Sequence, residues 1–231
     1  MKTYQTIFFD LDHTLWDYEA NAGQALRELY EHHDLGTKGM FSKAELVETF
    51  HAVNEMLWDD YNHHRIQRKD LRERRFPTIF KRLGLAMELR PENIESEYIA
   101  LSPTKEKVFD RAHEVLDYLA PKYKLHMITN GFDDIQGTKL ASSGLTDYFD
   151  KVITSETAGY RKPDPRIFQL ALDMAGGVKE QSLMVGDNLV ADIGGARNFG
   201  MDQVFFNPKR TSHTHEVTYE INGLAELKNL L

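Results

Sequence analysis

The sequence predicts an α/β protein, a doubly wound parallel sheet into which a helical bundle is inserted. Short apolar runs alternate with helical patterns over most of the chain, the stretch 17–101 carries helical patterns alone, and several of the apolar runs end in polar residues. Parallel strands covered on both faces read as near-continuous apolar blocks, and their alternation with helices indicates a parallel sheet.

The first run, 6–10 (TIFFD), leads into FFDLDHTL at 8–15, where Asp10 and Asp12 stand two residues apart. Helical patterns follow at roughly 18–33, 42–64, 69–83 and 91–101, broken at Gly36 to Gly39, near His63-His64, at Gly84 and at Pro91. These breakers separate helices that have no strand between them. The expected division is therefore a core of 1–16 and 102–231 with an inserted cap of 17–101. An insertion there would overhang the carboxyl end of the first strand, the edge at which open α/β sheets bind ligands. The core resumes with a helix over 107–120 and strands at 123–129 and 150–154. Asp164-Pro165 supplies an N-cap and a first-turn proline for a helix that Gly176-Gly177 stops. A strand at 183–187, a helix at 189–199 capped by Gly200, and a strand at 203–206 complete the pattern.

With 231 residues, 41% hydrophobic and 11% aromatic, the chain has the composition of a packed globular protein. It has no cysteine, which excludes disulfides, thiolate zinc sites and a cysteine nucleophile and fits a reducing cytoplasm. No apolar run approaches the ~20 residues of a membrane span, and MKTYQTIFFDLD has no apolar leader. A cytoplasmic protein, monomeric or weakly dimeric, is expected. The net charge of −8 argues against a nucleic-acid polymer as ligand. An anionic substrate would need local cations.

Two carboxylates as close as Asp10 and Asp12 repel unless a cation or hydrogen-bond donors hold them. A lone D-x-D is more often an acidic turn, but three later strand ends answer it. Thr129-Asn130-Gly131 offers a hydroxyl and turn N–H groups, GYRKPDP (159–165) places Lys162 between a glycine and two prolines, and GDNLVAD (186–192) holds Asp187 and Asp192. Each has a bland reading as turn, solvated lysine or helix cap. On one sheet edge together they suit Mg²⁺, which takes carboxylate oxygens and shares its shell with substrate phosphate.

DLDHTL (10–15), ITNG (128–131), the KPDP around Lys162 and GDNLVAD (186–192) resemble the four ordered motifs of the haloacid dehalogenase superfamily. The resemblance runs from about Thr6 to the C-terminus. It implies a Rossmann-like core with a four-helix-bundle cap. It also implies Asp10 as a nucleophile forming an aspartyl-phosphate and Asp12 as the acid/base. Asp10, the backbone carbonyl of Asp12 and Asp187 would hold Mg²⁺. Thr129, the N–H of Asn130 and Lys162 would bind the phosphoryl group, and Asp192 would orient Lys162 or a metal-bound water. A halide leaves without a proton whereas an alkoxide needs one, so Asp12 favours phosphoryl transfer over dehalogenation.

WDYEAN (16–21), NHHRIQRKDLRERRF (62–76) and TYEINGLAEL (218–227) are similar to the pyrimidine 5′-nucleotidase branch, which implies nucleoside monophosphates as substrates. Trp16 and Tyr18 could stack on a base and Arg65 could reach a ring oxygen. The competing reading is packing for the aromatics and a solvated helix face for Arg65, Arg68, Arg72 and Arg75. The histidine pairs at 32–33, 63–64 and 213/215 are expected to be surface residues, since the expected metal is hard. The alternatives are a phosphatase for a sugar phosphate or phosphoglycolate, a phosphomutase, and an inactive phosphate-binding relative.

Overall fold

The four residues of β1, Thr6–Phe9, are all buried, as a strand with neighbours on both sides and layers on both faces must be. In the computed structural model, which describes residues 3–231, β1 pairs in parallel with β2 (Lys124–Thr129) and with β4 (Ser182–Gly186). Residues 1 and 2 of the expected core segment lie outside the described residues. With β3 (Lys151–Thr154), β5 (Asp202–Phe206) and β6 (Tyr219–Ile221) the sheet has six parallel strands in the order β3-β2-β1-β4-β5-β6. The strand order reverses between β1 and β4, and the carboxyl ends at such a switch point open a crevice for ligands.

β6 is not expected from the sequence, since only Ile221 of its three residues is buried and no apolar run marks it. On one face of the sheet Phe8, Ile128, Ile153 and Met184 pack against Ile167, Phe168 and Ala171 of the Pro165–Ala175 helix. That helix has the expected ends. Asp164 Oδ1 accepts from Arg166 N at 3.0 Å, and Gly176 closes it at φ 60°, in the left-handed region that glycine favours.

Two expectations need correction, and one helix is not anticipated. The helix of 107–120 starts only at Ala112, because Val108 bridges to Trp16 and Phe109 N donates to Leu15 O at 2.9 Å, so these residues run extended. The span 189–199 begins as a π-wound turn, Leu189–Gly194, before the short Gly195–Phe199 helix. A helix at Asp133–Ser142 is absent from the sequence reading, where Gly137 and sparse apolar residues conceal it.

The chain divides into two compact units. The first runs to Asp17 and resumes from Glu106 to Leu231; the second is Tyr18–Lys105. The second unit is helical, with α-helices Tyr18–His32, Lys43–Asn62, Arg68–Arg82 and Ile94–Leu101 and a single turn at Leu35–Lys38. Ser42 and Glu45 cap the Lys43–Asn62 helix reciprocally, Ser42 N donating to Glu45 Oε2 at 2.7 Å and Glu45 N to Ser42 Oγ at 3.2 Å. Arg75 is not solvated as expected. It is buried, donates to both oxygens of Glu95 and to Asn54 Oδ1, and lies 4.9 Å from the centre of the Tyr98 ring. Among the described residues no helix is long and apolar enough to cross a membrane.

Candidate active site

Asp10 follows β1 directly, and its N–H continues the sheet by donating to Val185 O at 2.9 Å. The chain then turns back on itself, with Leu11 O accepting from Thr14, Leu15 and Trp16 N–H groups. This turn delivers Thr14 Oγ1 to Asp187 Oδ1 at 3.1 Å, tying the end of β1 to the end of β4. β4 ends at Gly186, where an added Cβ would stand 2.3 Å from Asp192 Oδ2. Glycine is needed there because the buried Asp192 carboxylate folds back over the strand end, its Oδ2 accepting from Asn188 N at 3.0 Å.

Lys162 reaches the same place from the loop after the short Ser155–Ala158 helix. Its backbone is held on both sides by the Asn130 side chain. Lys162 N donates to Asn130 Oδ1 at 2.8 Å, and Asn130 Nδ2 donates to Lys162 O at 3.0 Å. The buried ammonium lies 2.6 Å from Asp10 Oδ1, 2.6 Å from Asp192 Oδ1 and 2.7 Å from Ile128 O. The approach to Asp192 is an ion pair rather than a well-angled hydrogen bond. Burial works against the lysine's charge, but Asp10 and Asp192 hold it well above the ordinary lysine value.

Asp10, Asp187 and Asp192 bring one carboxylate oxygen each within 4.8 Å of one another. Burial pushes the Asp10 carboxyl up to about 7 despite Lys162, with Asp192 and Asp12 adding repulsion. Burial, followed by Asp192 and Asp10, also raises Asp187 well above the usual carboxylate range. Three crowded carboxylates facing one ammonium leave negative charge uncompensated, and hard oxygen donors are the set Mg²⁺ prefers. The residues therefore fit the ion, since Asp192 is taken up by Lys162 and Asp10 and Asp187 would be the carboxylates to hold it.

Because Asp10 and Asp187 titrate above their ordinary 3.8, the folded protein holds protons there that the unfolded chain has released. The Asp10 contribution to stability is present at low pH and is lost as pH rises from about 4 through about 7, and the Asp187 contribution is likewise lost as pH rises. Mg²⁺ competes with those protons, so it should raise the melting temperature more at pH 8 than at pH 5. Thermal denaturation with and without Mg²⁺ at both pH values measures this. Equal shifts would contradict a carboxylate site.

The Asp12 side chain points elsewhere. Its Oδ1 is 2.5 Å from Lys139 Nζ and its Oδ2 accepts from Gln136 Nε2 at 3.2 Å. Both partners lie on the Asp133–Ser142 helix and were not found in the sequence, where nothing links them to Asp12. Thr129 Oγ1 accepts from Gly131 N at 3.0 Å, and its own proton remains to be donated. Thus Asp10, Asp187, Asp192 and Lys162 form one cluster, with Asn130 behind it and Asp12 and Thr129 joined beside it through Gln136.

Trp16 and Arg65 have other surroundings. Trp16 has no exposed surface, and the Lys139 ammonium lies 4.4 Å from its ring centre, so its faces are engaged in packing. Arg65 belongs to the helical unit, exposed and ion-paired with Asp59 and Asp60. Of the histidine pairs, His33 pairs with Glu97 and His213 with Glu220, more enclosed than surface residues, while His63 and His64 are exposed.

Comparison with known proteins adds four findings. The haloacid dehalogenase-like hydrolase model matches residues 4–200. The chain is 33% identical to pyrimidine 5′-nucleotidase PynA of Streptococcus pneumoniae, over 99% of this chain and 95% of that protein. It is 32% identical to pyrimidine 5′-nucleotidase YjjG of Escherichia coli, over 97% and 96%. The crystal structure of the HAD-hydrolase YfnB of Bacillus subtilis, bound to magnesium, superposes with a TM-score of 0.88 at 27% identity and covers 99% of both chains.

Proposed function

The chain belongs to the haloacid dehalogenase-like hydrolases, and from that premise we propose that it hydrolyses pyrimidine nucleoside 5′-monophosphates through an aspartyl-phosphate. The observation that carries phosphate ester over halide is the second aspartate. Asp12 keeps its carboxylate off the metal cluster, on its own cation, where it can serve as acid and base. The substrate class rests on the two relatives, which are named for it and match nearly end to end.

A carboxylate oxygen of Asp10 attacks phosphorus as the bond to the ribose 5′-oxygen breaks, and protonated Asp12 gives its proton to that oxygen. Ionised Asp12 then takes a proton from the water that attacks the phosphoryl-aspartate, releasing phosphate and restoring Asp10. Thr129, the Asn130 N–H and Lys162 hold the non-bridging oxygens. The lysine already faces three oxygens, so it meets the phosphoryl group by exchanging one of them. Bound at Asp10, Asp187 and the Asp12 carbonyl, Mg²⁺ would offset charge on the transferring group. Asp192 keeps the ammonium in place throughout.

Removing Lys162 takes away a fixed charge that matters most when the phosphoryl oxygens are in flight. Lys162→Ala should lower kcat about 10²-fold or more. A loss confined to KM would reassign the lysine to substrate attraction. The function itself is tested by assaying a panel of phosphate monoesters with Mg²⁺. Pyrimidine 5′-monophosphates such as UMP, dUMP and dTMP should exceed sugar phosphates, phosphoglycolate and small aryl phosphates in kcat/KM. A sugar phosphate or phosphoglycolate ranked first, with nucleotides near background, would overturn the substrate class. The helical unit, Tyr18–Lys105, is assigned the choice of substrate as a cap. Arg65 gives Nε to Asp60 and Nη2 to Asp59, and its Nη1 is the nitrogen assigned to a base oxygen, so Arg65→Ala should lower efficiency on nucleotides and spare an aryl phosphate.

A further inference from the structure

Lys139 is a lysine with only 5% of its surface exposed, and burying an ammonium is unfavourable unless it is paired. Its partners include Asp12 Oδ1 and the face of the buried Trp16 ring. One helical turn earlier, Gln136 is equally enclosed and donates to Asp12 Oδ2, so each oxygen of one carboxylate has its own donor on one helix face. The same amide nitrogen is 3.5 Å from Thr129 Oγ1. Gln136 Oε1 has no hydrogen-bond partner among the described residues. Turning the amide over would set that oxygen against a carboxylate oxygen, so Asp12 fixes its orientation.

The sequence around the site makes room for this arrangement. A Cβ on Gly131 would fall 1.4 Å from Gln136 Nε2, so the glycine of ITNG is what lets the amide pass beneath that turn to Asp12. The helix carrying both donors is fastened at its start. Asp133 N donates to Glu156 Oε2 at 2.9 Å, and Asp133 accepts from Thr154 Oγ1 at the end of β3.

We propose that Lys139 and Gln136 are positioning residues for Asp12, with Trp16 as the wall that holds Lys139 in place. The proposal rests on reading Asp12 as the acid/base. Lys139 keeps Oδ1 through both half-reactions. Oδ2, held only by the longer amide bond, is the oxygen that exchanges the proton: Oδ2–H gives it to the departing 5′-oxygen, and Oδ2 regains one from the attacking water. Pinning Oδ1 fixes where Oδ2 stands, and loss of geometry by about an ångström can cost on the order of 10²-fold in rate.

The test measures kcat and KM with Mg²⁺ on a pyrimidine nucleoside monophosphate for Asp12→Asn, Lys139→Met and the double variant. Lys139→Met should lower kcat about tenfold or more, part of the 10²–10⁴-fold that a positioned acid/base supplies, with KM little changed. On top of Asp12→Asn it should cost nothing further, because its effect passes through Asp12. Wild-type kcat in Lys139→Met, or losses that multiply in the double variant, would overturn the proposal. If Lys139→Met does not fold, Gln136→Leu takes its place, with the same non-additivity expected and full additivity or no loss overturning it. An undiminished Asp12→Asn enzyme would instead refute Asp12 as the acid/base, an outcome separate from Lys139 alone being dispensable.

Discussion

Asp10→Asn should give a folded protein with no measurable turnover, a loss on the order of 10⁶-fold, as when an enzyme loses its nucleophile. The amide has nearly the shape of the carboxylate but cannot attack phosphorus, and it is a poor ligand for Mg²⁺. Folding should survive, because burial already pushes the Asp10 carboxyl up to about 7 and its ionised form is a strain on the folded state. Lys162 keeps Asp192 and the Ile128 carbonyl as partners. The comparison needs both circular dichroism and kcat on the same preparation. A folded Asp10→Asn protein with substantial activity would sink the covalent route.

Asp12→Asn should fall by 10²–10⁴-fold on alkyl phosphates, the range of a positioned general acid/base. With an aryl phosphate its behaviour should differ in kind. A phenolate of low pKa leaves without a proton, so Asp10 can still be phosphorylated. The phosphoryl-aspartate then waits for water that no base activates. The expected trace is a burst of phenol close to the enzyme concentration, followed by slow turnover. Equal losses on both substrates, with no burst, would reduce Asp12 to a structural residue.

Much of this site is legible in the sequence because its parts are local. Asp10, Thr129 and Asp187 each adjoin a buried strand, and the strands announce themselves as apolar runs that a doubly covered sheet requires. Asp164-Pro165 and Gly176 mark a helix by caps that act within a few residues. The parts that escape are long-range or weakly patterned. Lys139 meets Asp12 across 127 positions, and its helix has too few apolar residues for periodicity to reveal it. Arg75 reads as one more basic residue in an arginine-rich stretch, since only the fold supplies Glu95, Asn54 and the Tyr98 ring. Trp16 reads equally well as a base-stacking group or a packing group, and burial against Lys139 favours packing. Asn130 was expected to offer its backbone to phosphate; its side-chain hold on Lys162 depends on a loop brought over from 32 residues away.

The central claim is that phosphorus passes through Asp10, and the most direct measurement is to trap it there. The wild-type enzyme, turning over a 5′-monophosphate labelled in its phosphoryl group with Mg²⁺, is quenched in acid, digested and analysed by mass spectrometry. Acyl phosphates survive acid long enough to be located. The account predicts one labelled phosphoryl group on the peptide carrying FFDLDHTL, assigned to Asp10 by fragmentation, and none in Asp10→Asn. Label on Asp12, or a burst of phenol from a labelled aryl phosphate and Asp12→Asn with no label left on the enzyme, would contradict it.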